Sequence, residues 1–448
     1  MSEVAWEEST SRMWEKEKTS GDLDVAILGA GPAGRVLAQH LTGTDLRVGL
    51  FDPQGEAAWK NTYGLWIDEV EGLEKGPPLQ FRWQKALAYV GAGPQKEKRV
   101  LPRSYGLIDK QAWRAMIDAE LQRGAVRCVE SAVQGIDGVS GRTTLQLKNG
   151  SSFVARIVVD ATGRGLFLDP CRPRDPGFQS AYGVFARLKG DPLEGEKMVL
   201  MDFRPPDGIA HRGEEPTFLY GMHLGEDRYF LEETVLVGRN PRSFESLKAD
   251  LHRRLDRLGV DLVEIEEEEQ CLIPMGTSLP KYDPKLFGFG ASAGFIHPAT
   301  GYQIGRMLRE APRVAKRIES GLSHNVATSE LVRQLNELIW PPEVRRAREL
   351  LLFGQEVLLG MSADEIGRFF EAFFALPEKG WKSYLLGDAP FQDIASVMWK
   401  LFGDAGFSLR WSMARQAFGA EGVHILRAFR PQVQERCESS SQGDSNVA

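Results

Sequence analysis

The sequence predicts a mixed α/β protein (α/β with α+β character) in three successive parts. The first part opens with a strand, a helix and a second strand, at residues 24–28, 31–41 and 47–52. The middle part, residues 179–269, has short apolar runs separated by Gly, Pro and Asp clusters, which is typical of a mostly antiparallel sheet. From Ser329 onward the apolar residues follow a helical period. These observations predict a domain with a parallel sheet, a domain with an antiparallel sheet and a helical region.

The sequence predicts further helices and a hairpin within these parts. Residues 111–124 form an amphipathic pattern that predicts a helix, and residues 142–160 alternate as a hairpin around the turn Lys148-Asn149-Gly150. Another helix is expected at residues 243–258. The C-terminal helical part is rich in aromatic residues, with Phe369-Phe370-Glu371-Ala372-Phe373-Phe374 at its centre.

Domain boundaries follow from the same patterns. The first domain is expected to be discontinuous, because the chain returns after the antiparallel sheet to a glycine-rich stretch near Gly288. The polar N-terminal arm and the polar C-terminal tail lie outside the domains, and the tail is expected to be disordered. The expected ranges are 1–22 for the arm, 23–178 and 270–328 for the first domain, 179–269 for the antiparallel-sheet domain, 329–430 for the helical region and 431–448 for the tail.

Composition excludes some functions and leaves membrane contact open. The net charge of the 448 residues is -7 and no basic stripe stands out, which argues against a nucleic-acid surface. No run of 18 apolar residues occurs, so no membrane-spanning helix is predicted, although contact with one membrane face remains open. Residues 1–21 lack a signal core and a transit-peptide composition, so a targeting segment is expected to be absent or already removed.

The four cysteines predict neither a disulfide framework nor a metal site. Cys128, Cys171, Cys271 and Cys437 are widely spaced, with no CxxC pair and no His/Cys cluster of metal-ligand spacing. They are typical of a reduced, intracellular protein.

A glycine motif follows the first strand and opens the first helix. Gly29 permits a tight turn, Gly31 lets the backbone approach a pyrophosphate, and Gly34 lets the helix pack closely on the strand. The start of the helix, at Pro32 and Ala33, directs its positive end at the phosphates. The segment is Gly29-Ala30-Gly31-Pro32-Ala33-Gly34. It predicts a Rossmann-like dinucleotide site.

Three further positions indicate which dinucleotide is bound. Asp52 ends the second strand at the spacing expected for a ribose-binding acid. The segment Asp160-Ala161-Thr162-Gly163, with Asp160 and Gly163, resembles the second element of FAD domains of the flavoprotein-hydroxylase type. A third element, with Gly294 and Gly301, leads into a helix from about Gln303, whose N-terminus would point at the flavin. Together these elements favour FAD over NAD and a three-layer FAD-binding domain. The alternatives are an ordinary buried strand at Asp160 and a plain glycine-rich turn at residues 288–301.

Two adjacent glutamates, Glu232 and Glu233, lie inside an apolar strand-like run at residues 229–237. Side chains on a strand alternate between faces, so a half-buried strand rarely carries two successive carboxylates at its centre. A carboxylate among apolar groups loses hydration, which raises its pKa, and a neighbouring negative charge raises the pKa further. One glutamate is therefore expected to hold a proton near neutral pH. It is then a candidate general acid. The alternative is an edge strand on which both glutamates reach water.

With these features, residues 24–407 resemble the plant and cyanobacterial type of lycopene cyclase, flavoproteins that close the ends of a linear carotenoid into rings. The Phe-Leu-Glu-Glu-Thr and Ile-Pro-Met-Gly blocks are the most specific. The blocks that carry the resemblance are Asn61-Thr62-Tyr63-Gly64-Leu65-Trp66-Ile67-Asp68-Glu69, Gln179-Ser180-Ala181-Tyr182-Gly183, Met198-Val199-Leu200-Met201-Asp202-Phe203-Arg204, Pro216-Thr217-Phe218-Leu219-Tyr220, Phe230-Leu231-Glu232-Glu233-Thr234, Cys271-Leu272-Ile273-Pro274-Met275-Gly276 and His297-Pro298-Ala299-Thr300-Gly301-Tyr302.

The resemblance implies redox-neutral chemistry on lycopene or another carotenoid. The terminal C1=C2 double bond is protonated, C5=C6 attacks the cation, and proton loss fixes the ring double bond. Reduced FAD would stabilise the cation or relay a proton, and NADPH would be the external reductant. Glu232 is expected to be the acid, with Glu233 as the alternative, because alternation along a strand lets only one of the two point into the site. His297 either orients flavin or substrate or caps the following helix.

The resemblance also implies a substrate tunnel and a membrane-held substrate. Tyr63, Trp66, Tyr182 and Phe203 either line the polyene tunnel or belong to the plain core. The aromatic C-terminal part either contacts a membrane or caps the core. The expected setting is peripheral, on a plastid or thylakoid membrane or on the inner face of a cyanobacterial or bacterial membrane, with other carotenoid-pathway enzymes as further partners.

Some details depart from the family pattern and leave alternatives open. Phe203 stands where relatives commonly carry Trp or Tyr, and residues 101–109 match only loosely. The Phe-Leu-Glu-Glu-Thr and Ile-Pro-Met-Gly segments favour β-rings over ε-rings. An ε-cyclase, an epoxide isomerase of the capsanthin or neoxanthin type and a flavin monooxygenase remain the alternatives. The sequence leaves open whether one or both ends are cyclised and whether the protein is a monomer.

Overall fold

The architecture is described from a computed structural model of the chain. The structure describes residues 13–94, 96–163, 165–169, 174–209, 215–419 and 422–430. Most of the predicted N-terminal arm, the whole predicted tail, Cys171 and Cys437 lie outside these residues.

Most of the regular elements before residue 290 are strands. In chain order they are Trp14–Glu15 (β1), Ser20–Leu28 (β2), Val48–Phe51 (β3), Gly64–Trp66 (β4), Leu79–Trp83 (β5), Ala86–Val90 (β6), Glu97–Leu101 (β7), Tyr105–Ile108 (β8), Arg127–Val129 (β9), Val133–Val139 (β10), Arg142–Leu147 (β11), Ser152–Asp160 (β12), Gly177–Lys189 (β13), Met198–Asp202 (β14), Thr217–His223 (β15), Arg228–Val235 (β16), Asp261–Met275 (β17) and Leu286–Gly288 (β18).

Most of the α-helices in the described residues lie after residue 303, and three lie before it. In chain order they are Pro32–Leu41 (α1), Lys110–Arg123 (α2), Phe244–Leu258 (α3), Ile304–Ser323 (α4), Thr328–Ile339 (α5), Pro342–Leu359 (α6), Ala363–Ala375 (α7), Glu378–Leu386 (α8), Phe391–Asp404 (α9), Phe407–Phe418 (α10) and Gly422–Phe429 (α11). Short 3-10 helices lie at Ile67–Glu69 and Gly290–Ala293.

The first sheet has the predicted nucleotide-binding topology. Its order is β1-β9-β3-β2-β12-β11-β10, and β18 pairs in parallel with β12. In sheet order, the strands from β1 to β12 are parallel, with α1 between β2 and β3 in the chain and α2 between β3 and β9, and the hairpin β11–β12 is antiparallel, as the Lys148-Asn149-Gly150 turn predicts. Gly150 has a φ of +82°, which glycine adopts without strain. The α/β fold class with a Rossmann-like opening is confirmed.

The second sheet is mostly antiparallel and has the order β17-β13-β16-β15-β14-β6-β7. Strand β16, which carries the two glutamates, pairs with β13 on one side and β15 on the other. The edge-strand alternative for Glu232 and Glu233 is therefore wrong. Strands β6 and β7, which the sequence analysis assigned to the first domain, belong to this sheet, and β6 pairs in parallel with β14. The domain boundaries themselves stay a prediction. Strands β4, β8 and β5 form a small third sheet.

Different helices cover the two faces of the second sheet. Helix α3 packs on one face, where Leu247 and Leu251 join Leu231 in a core cluster. The other face shares a larger core with the C-terminal helices, including Phe370 of α7. Ser362 and Glu365 form a capping box at the start of α7, which satisfies N–H groups that the first helical turn leaves unpaired. Each face of β16 therefore has its own chemical environment.

None of the helices within the described part of the chain has both the length and the apolar character that a membrane crossing requires.

Candidate active site

The glycine loop after β2 is too crowded for any side chain at two of its positions. Gly29 has a φ of +99°, and a Cβ there would lie 2.5 Å from the carbonyl oxygen of Ala161. A Cβ at Gly34 would overlap the carbonyl oxygen of Gly29. Glycine at these positions lets β2, α1 and the end of β12 pack together.

The space above the loop is open at two other glycines. Among the residues that the structure describes, a Cβ at Gly31 would meet no atom within 4 Å, and the same is true at Gly163 after β12. Gly31 is the N-cap of α1, Pro32 follows at the first helical position, and no side chain caps the helix. An uncapped helix start beside open space fits a pyrophosphate, whose charge interacts favourably with the helix N-terminus.

Asp52 supports the glycine loop directly. One carboxylate oxygen accepts from the Ala30 N–H at 2.7 Å and the other from the Gln54 N–H at 2.7 Å. Each oxygen retains a further lone pair. Asp52 therefore lies where a ribose-binding acid is expected and also fixes the loop.

Asp160 shapes the loop at the end of β12 from inside the protein. Its fully buried carboxylate accepts from the Thr162 N–H at 3.0 Å, the Thr162 hydroxyl at 2.7 Å and the Phe167 N–H at 3.1 Å. Ser292 donates to the same carboxylate at 3.0 Å and accepts from the N–H groups of Gly163 and Gly165. Asp160 thus organises the loop from behind. Sequence reasoning missed Ser292, whose only signal is a hydroxyl within an apolar glycine-rich stretch.

The third predicted element connects the two large sheets. Gly294 and Gly301 have φ values of +79° and +75°. A Cβ at Gly294 would lie 2.7 Å from Leu279, so this position faces packed side chains. A Cβ at Gly301 would lie 2.7 Å from the side-chain oxygen of Gln179 on β13, so this turn touches the second sheet.

His297 has no free ring nitrogen. Nδ1 accepts from the Ala299 N–H at 3.1 Å, and Nε2 lies 2.9 Å from the Tyr384 carbonyl oxygen, to which it donates. Burial lowers the pKa of His297 to about 4, so the ring is neutral at pH 7. His297 ties the 297–302 turn to α8, and these contacts do not support the expected contact with flavin or substrate.

Glu232 shares a row of the second sheet with a glycine and a second glutamate. Gly183 of β13 pairs with Glu232 of β16 on one side and with Glu269 of β17 on the other. Directly paired residues project to the same face, so both carboxylates stand above a position that has no side chain. One step along, Ala181 lies between Thr234 and Cys271 in the same way. We call this feature the central trough: its floor is Ala181 and Gly183, and its walls are Glu232 and Thr234 opposite Glu269 and Cys271.

The position of Glu232 in the trough raises the pKa of its carboxyl. Burial raises the pKa of its carboxyl to about 8, the charge of Glu269 adds to the rise, and a hydrogen bond from the Thr234 hydroxyl at 2.7 Å opposes it. Glu232 is half-buried although β16 is an interior strand. At pH 7 it is predominantly a carboxylic acid.

Thr62 holds Glu269, on the wall of the trough opposite Glu232, through hydrogen bonds. The Thr62 N–H lies 3.0 Å from both of its oxygens, and the Thr62 hydroxyl donates to one of them at 2.5 Å. Burial raises the pKa of Glu269, and the bonds from Thr62 oppose that rise. Sequence reasoning missed Glu269 because it belongs to an acidic run, residues 264–269, that is typical of an exposed strand.

Glu233 lies on the other face of the same strand. It is completely buried and pairs with Arg254 of α3 through two bonds of 2.8 Å, and the Thr217 hydroxyl also donates to it. The sheet separates this ion pair from the trough.

The four expected lining residues lie in different places. Tyr63 is half-buried near the trough, where burial and then the charges of Glu269 and Cys271 raise the pKa of its phenol. Trp66 is buried against Tyr105, at 4.9 Å between ring centroids, and Phe203 stacks on Phe370 at 5.5 Å. Tyr182 pairs with Glu233, and its hydroxyl donates to Glu268 at 2.8 Å, which places it in the core on the α3 face.

Solved structures share this fold at low sequence identity. A geranylgeranyl bacteriochlorophyll reductase-like protein from Thermoplasma acidophilum aligns with a TM-score of 0.64 at 14% identity, covering 88% of this chain and 100% of that chain. The flavin-dependent brominase Bmp2 aligns with a TM-score of 0.57 at 13% identity, covering 84% and 97%. These likenesses confirm the fold of flavin-dependent enzymes.

Sequence comparison identifies the family. The lycopene cyclase protein family matches residues 24–411. The lycopene beta cyclase of Synechococcus elongatus is 33% identical over 399 residues, covering 88% of this chain and 96% of the relative. The chloroplastic lycopene beta cyclase of Arabidopsis thaliana is 36% identical, covering 81% and 74%, and the neoxanthin synthase of Solanum lycopersicum is 32% identical, covering 85% and 78%. The chain is therefore an enzyme of the lycopene cyclase family.

Proposed function

We propose that this enzyme is a lycopene β-cyclase that converts the linear ends of lycopene into β-ionone rings, giving γ- and β-carotene, without net oxidation or reduction. One observation carries the proposal: Glu232 stands on an interior strand in one row with Gly183 and Glu269, where burial and the charge of Glu269 raise the pKa of its carboxyl to about 8. A hydrocarbon double bond is a weak base, so its protonation needs a positioned acid in a site that excludes water.

The residues that would hold FAD are those of the glycine loop, with Asp52 at the base of the loop and Gly163 across the open space. Bound there, reduced FAD would supply an electron-rich ring that stabilises positive charge on the substrate. NADPH is the proposed external reductant of the flavin. Asp160 and Ser292 would keep the second loop in its binding shape.

Glu232 is the proposed acid. Its carboxyl gives its proton to C2 of the terminal double bond, which leaves a cation at C1, and C6 then bonds to C1. Thr234 orients the carboxyl through its hydroxyl hydrogen bond. Glu233 has a structural part in this proposal, because its ion pair with Arg254 holds β16 on α3.

An anaerobic assay tests the activity. Lycopene in liposomes is incubated with the enzyme and FAD, reduced either chemically or with NADPH, and products are separated by chromatography. β-Rings formed on chemically reduced flavin without oxygen support the proposal. A flavin monooxygenase would instead need oxygen and consume NADPH in proportion to product.

The similarity to neoxanthin synthase keeps carotenoid-epoxide chemistry as the second candidate. It is tested by offering violaxanthin in parallel with lycopene. Conversion of violaxanthin but not of lycopene would overturn the cyclase assignment, and ε-rings from lycopene would overturn the β assignment.

We also propose that the C-terminal helices contact a membrane peripherally. Large apolar side chains of α9, α10 and α11 are exposed, and basic side chains of the same helices accompany them: Lys400, Arg410, Arg415 and Arg427. The aromatic surface, as we name it, consists of Trp399, Phe407, Trp411, Phe418, Leu426 and Phe429. Exposed aromatic and basic groups together suit a lipid interface, from which a lipid-soluble substrate could enter. The names of the plant relatives indicate chloroplasts, so a plastid or cyanobacterial membrane is the proposed setting.

A further inference from the structure

The central trough holds a second carboxyl group for which the acid step alone gives no role. Glu269 is 5% exposed, and its neighbours on β17, Glu267 and Glu268, are exposed. Burying a carboxylate is costly unless hydrogen bonds compensate it, and Thr62 provides both an N–H and a hydroxyl. Because Glu269 is buried, hydrogen-bonded and directed at the trough, it is a candidate for a role in the reaction.

The register fixes how Glu269 and Glu232 face each other. They pair with the same residue, Gly183, from opposite sides. Directly opposite residues on antiparallel strands have Cα atoms about 5 Å apart, so the two glutamate Cα atoms are separated by about 10 Å. A Cβ at Gly183 would lie 3.3 Å from the Glu232 Cβ and 3.2 Å from the Phe230 ring, so glycine makes room for that ring beside the row that the two glutamates share.

The two carboxyls differ in hydrogen bonding. Glu269 accepts from both the N–H and the hydroxyl of Thr62, contacts that favour a carboxylate. Within the described part of the chain, Glu232 accepts from the Thr234 hydroxyl alone, and the negative charge of Glu269 further raises its pKa. The other titratable groups that act on this pair are Tyr63, Lys110, Tyr220, Glu267 and Cys271.

Resting on the proposed function, we infer that Glu269 is the general base of the reaction, which takes the C6 proton from the cyclised cation. C2, which receives the proton, and C6, which loses one, are both bonded to C1 in the new ring. One end group between the trough walls therefore presents both carbons to the two carboxyls. The electrons of the C6–H bond form the C5=C6 double bond, which defines the β-ring, whereas loss of a C4 proton would give an ε-ring.

The proton that Glu232 gives to the substrate is matched by the proton that Glu269 takes from it. Glu232 becomes a carboxylate when it protonates C2, and Glu269 becomes a carboxylic acid when it accepts the C6 proton. Return of that proton from Glu269 to Glu232 restores both groups, so no proton is consumed and no electron is transferred. Glu269 is thereby a catalytic residue and a determinant of ring type.

The test compares Glu269→Gln with Glu266→Gln. Glu266 is on the same strand but is exposed and pairs with Arg228 at 2.6 Å, so its substitution should leave β-ring formation within about twofold of the wild type. Glu269→Gln should lower β-ring formation about 100-fold or more, since general bases contribute at least that much. Appearance of ε-rings in Glu269→Gln would also support the inference.

A second measurement separates a base from a structural anchor. The carboxyl C=O infrared band of Glu232, identified by its absence in Glu232→Gln, should titrate at lower pH in Glu269→Gln because the neighbouring negative charge is gone. FAD content and the unfolding midpoint are measured on every variant. If wild type cyclises lycopene and Glu269→Gln does so at the same rate, this inference is overturned and the proposed function stands. If wild type forms no ring, the proposed function itself fails.

Discussion

Glu232 and Glu233 are adjacent in sequence, yet their carboxyl groups lie on opposite faces of one strand, the first toward the central trough and the second against Arg254. Because the sheet lies between them, the two carboxyl groups have different surroundings. Glu232 keeps its proton because burial and the charge of Glu269 raise its pKa. Glu233 is neutralised by an arginine that is equally buried.

Glu232→Gln should abolish cyclisation and leave FAD bound, because glutamine keeps the shape and the Thr234 contact but has no proton to give. Product chromatography measures the rate, and the flavin absorbance of the purified protein measures occupancy. Glu266→Gln, at an exposed carboxylate that pairs with Arg228 at 2.6 Å, is the control and should retain the activity. Undiminished β-ring formation by Glu232→Gln would remove Glu232 as the acid.

Cyclisation should slow as the pH rises through about 8. The pKa of Glu232 is raised from its ordinary value to about 8, and only the protonated form can donate, so the active fraction falls above that pH. The measurement is the rate of ring formation on chemically reduced flavin from pH 6 to pH 9.5. A rate that stays level across this range would contradict the acid assignment.

Glu233→Ala should destabilise the protein strongly. It leaves the Arg254 guanidinium, 1% exposed, without its counter-charge, and breaking a buried pair in this way costs about 3–5 kcal/mol. Urea unfolding measures the loss, and Glu266→Ala, which breaks a pair nearer the surface, should cost about 0–1 kcal/mol. Equal costs for the two variants would show that the Glu233 pair does not anchor β16 to α3.

Gly31→Val should remove the flavin and leave the fold intact. A side chain at Gly31 meets no protein atom within 4 Å, so it enters only the space proposed for the pyrophosphate. The readouts are FAD content and the unfolding midpoint, with Gly403→Ala as the control at an exposed helical glycine that also has free space. Full FAD occupancy in Gly31→Val would contradict the proposed location of the cofactor.

Replacing Trp411 and Phe418 together with serine should weaken membrane binding at least tenfold. These side chains are 66% and 92% exposed, and transferring even part of each ring into a bilayer gains more than the roughly 1.4 kcal/mol that corresponds to tenfold. Co-flotation with vesicles that contain anionic lipid measures the binding. Val263→Ser, at a residue 64% exposed on β17, is the control, and unchanged flotation of the double variant would reject the aromatic surface as the contact.

The sequence by itself determined the parts of the site that depend on local geometry. The glycine loop, the end of β12 and the helix that begins at Ile304 were predictable, because tight turns and close backbone approaches require particular residues at fixed spacing. The pattern at residues 229–237 also indicated a strand with an unusual pair of carboxylates.

Only the tertiary structure decided which carboxyl groups share a face. Glu269 is 37 positions after Glu232 in the printed sequence, and Gly183 is 49 positions before it; strand pairing across β13 brings the three into one row. The same pairing directed Tyr182 and Glu233 to α3, and the contacts with Tyr384 of α8 and with the Ala299 N–H occupied the two ring nitrogens of His297. Register and packing are set by the whole chain, so the environment that raises the pKa of one glutamate and neutralises its neighbour is not contained in the local sequence.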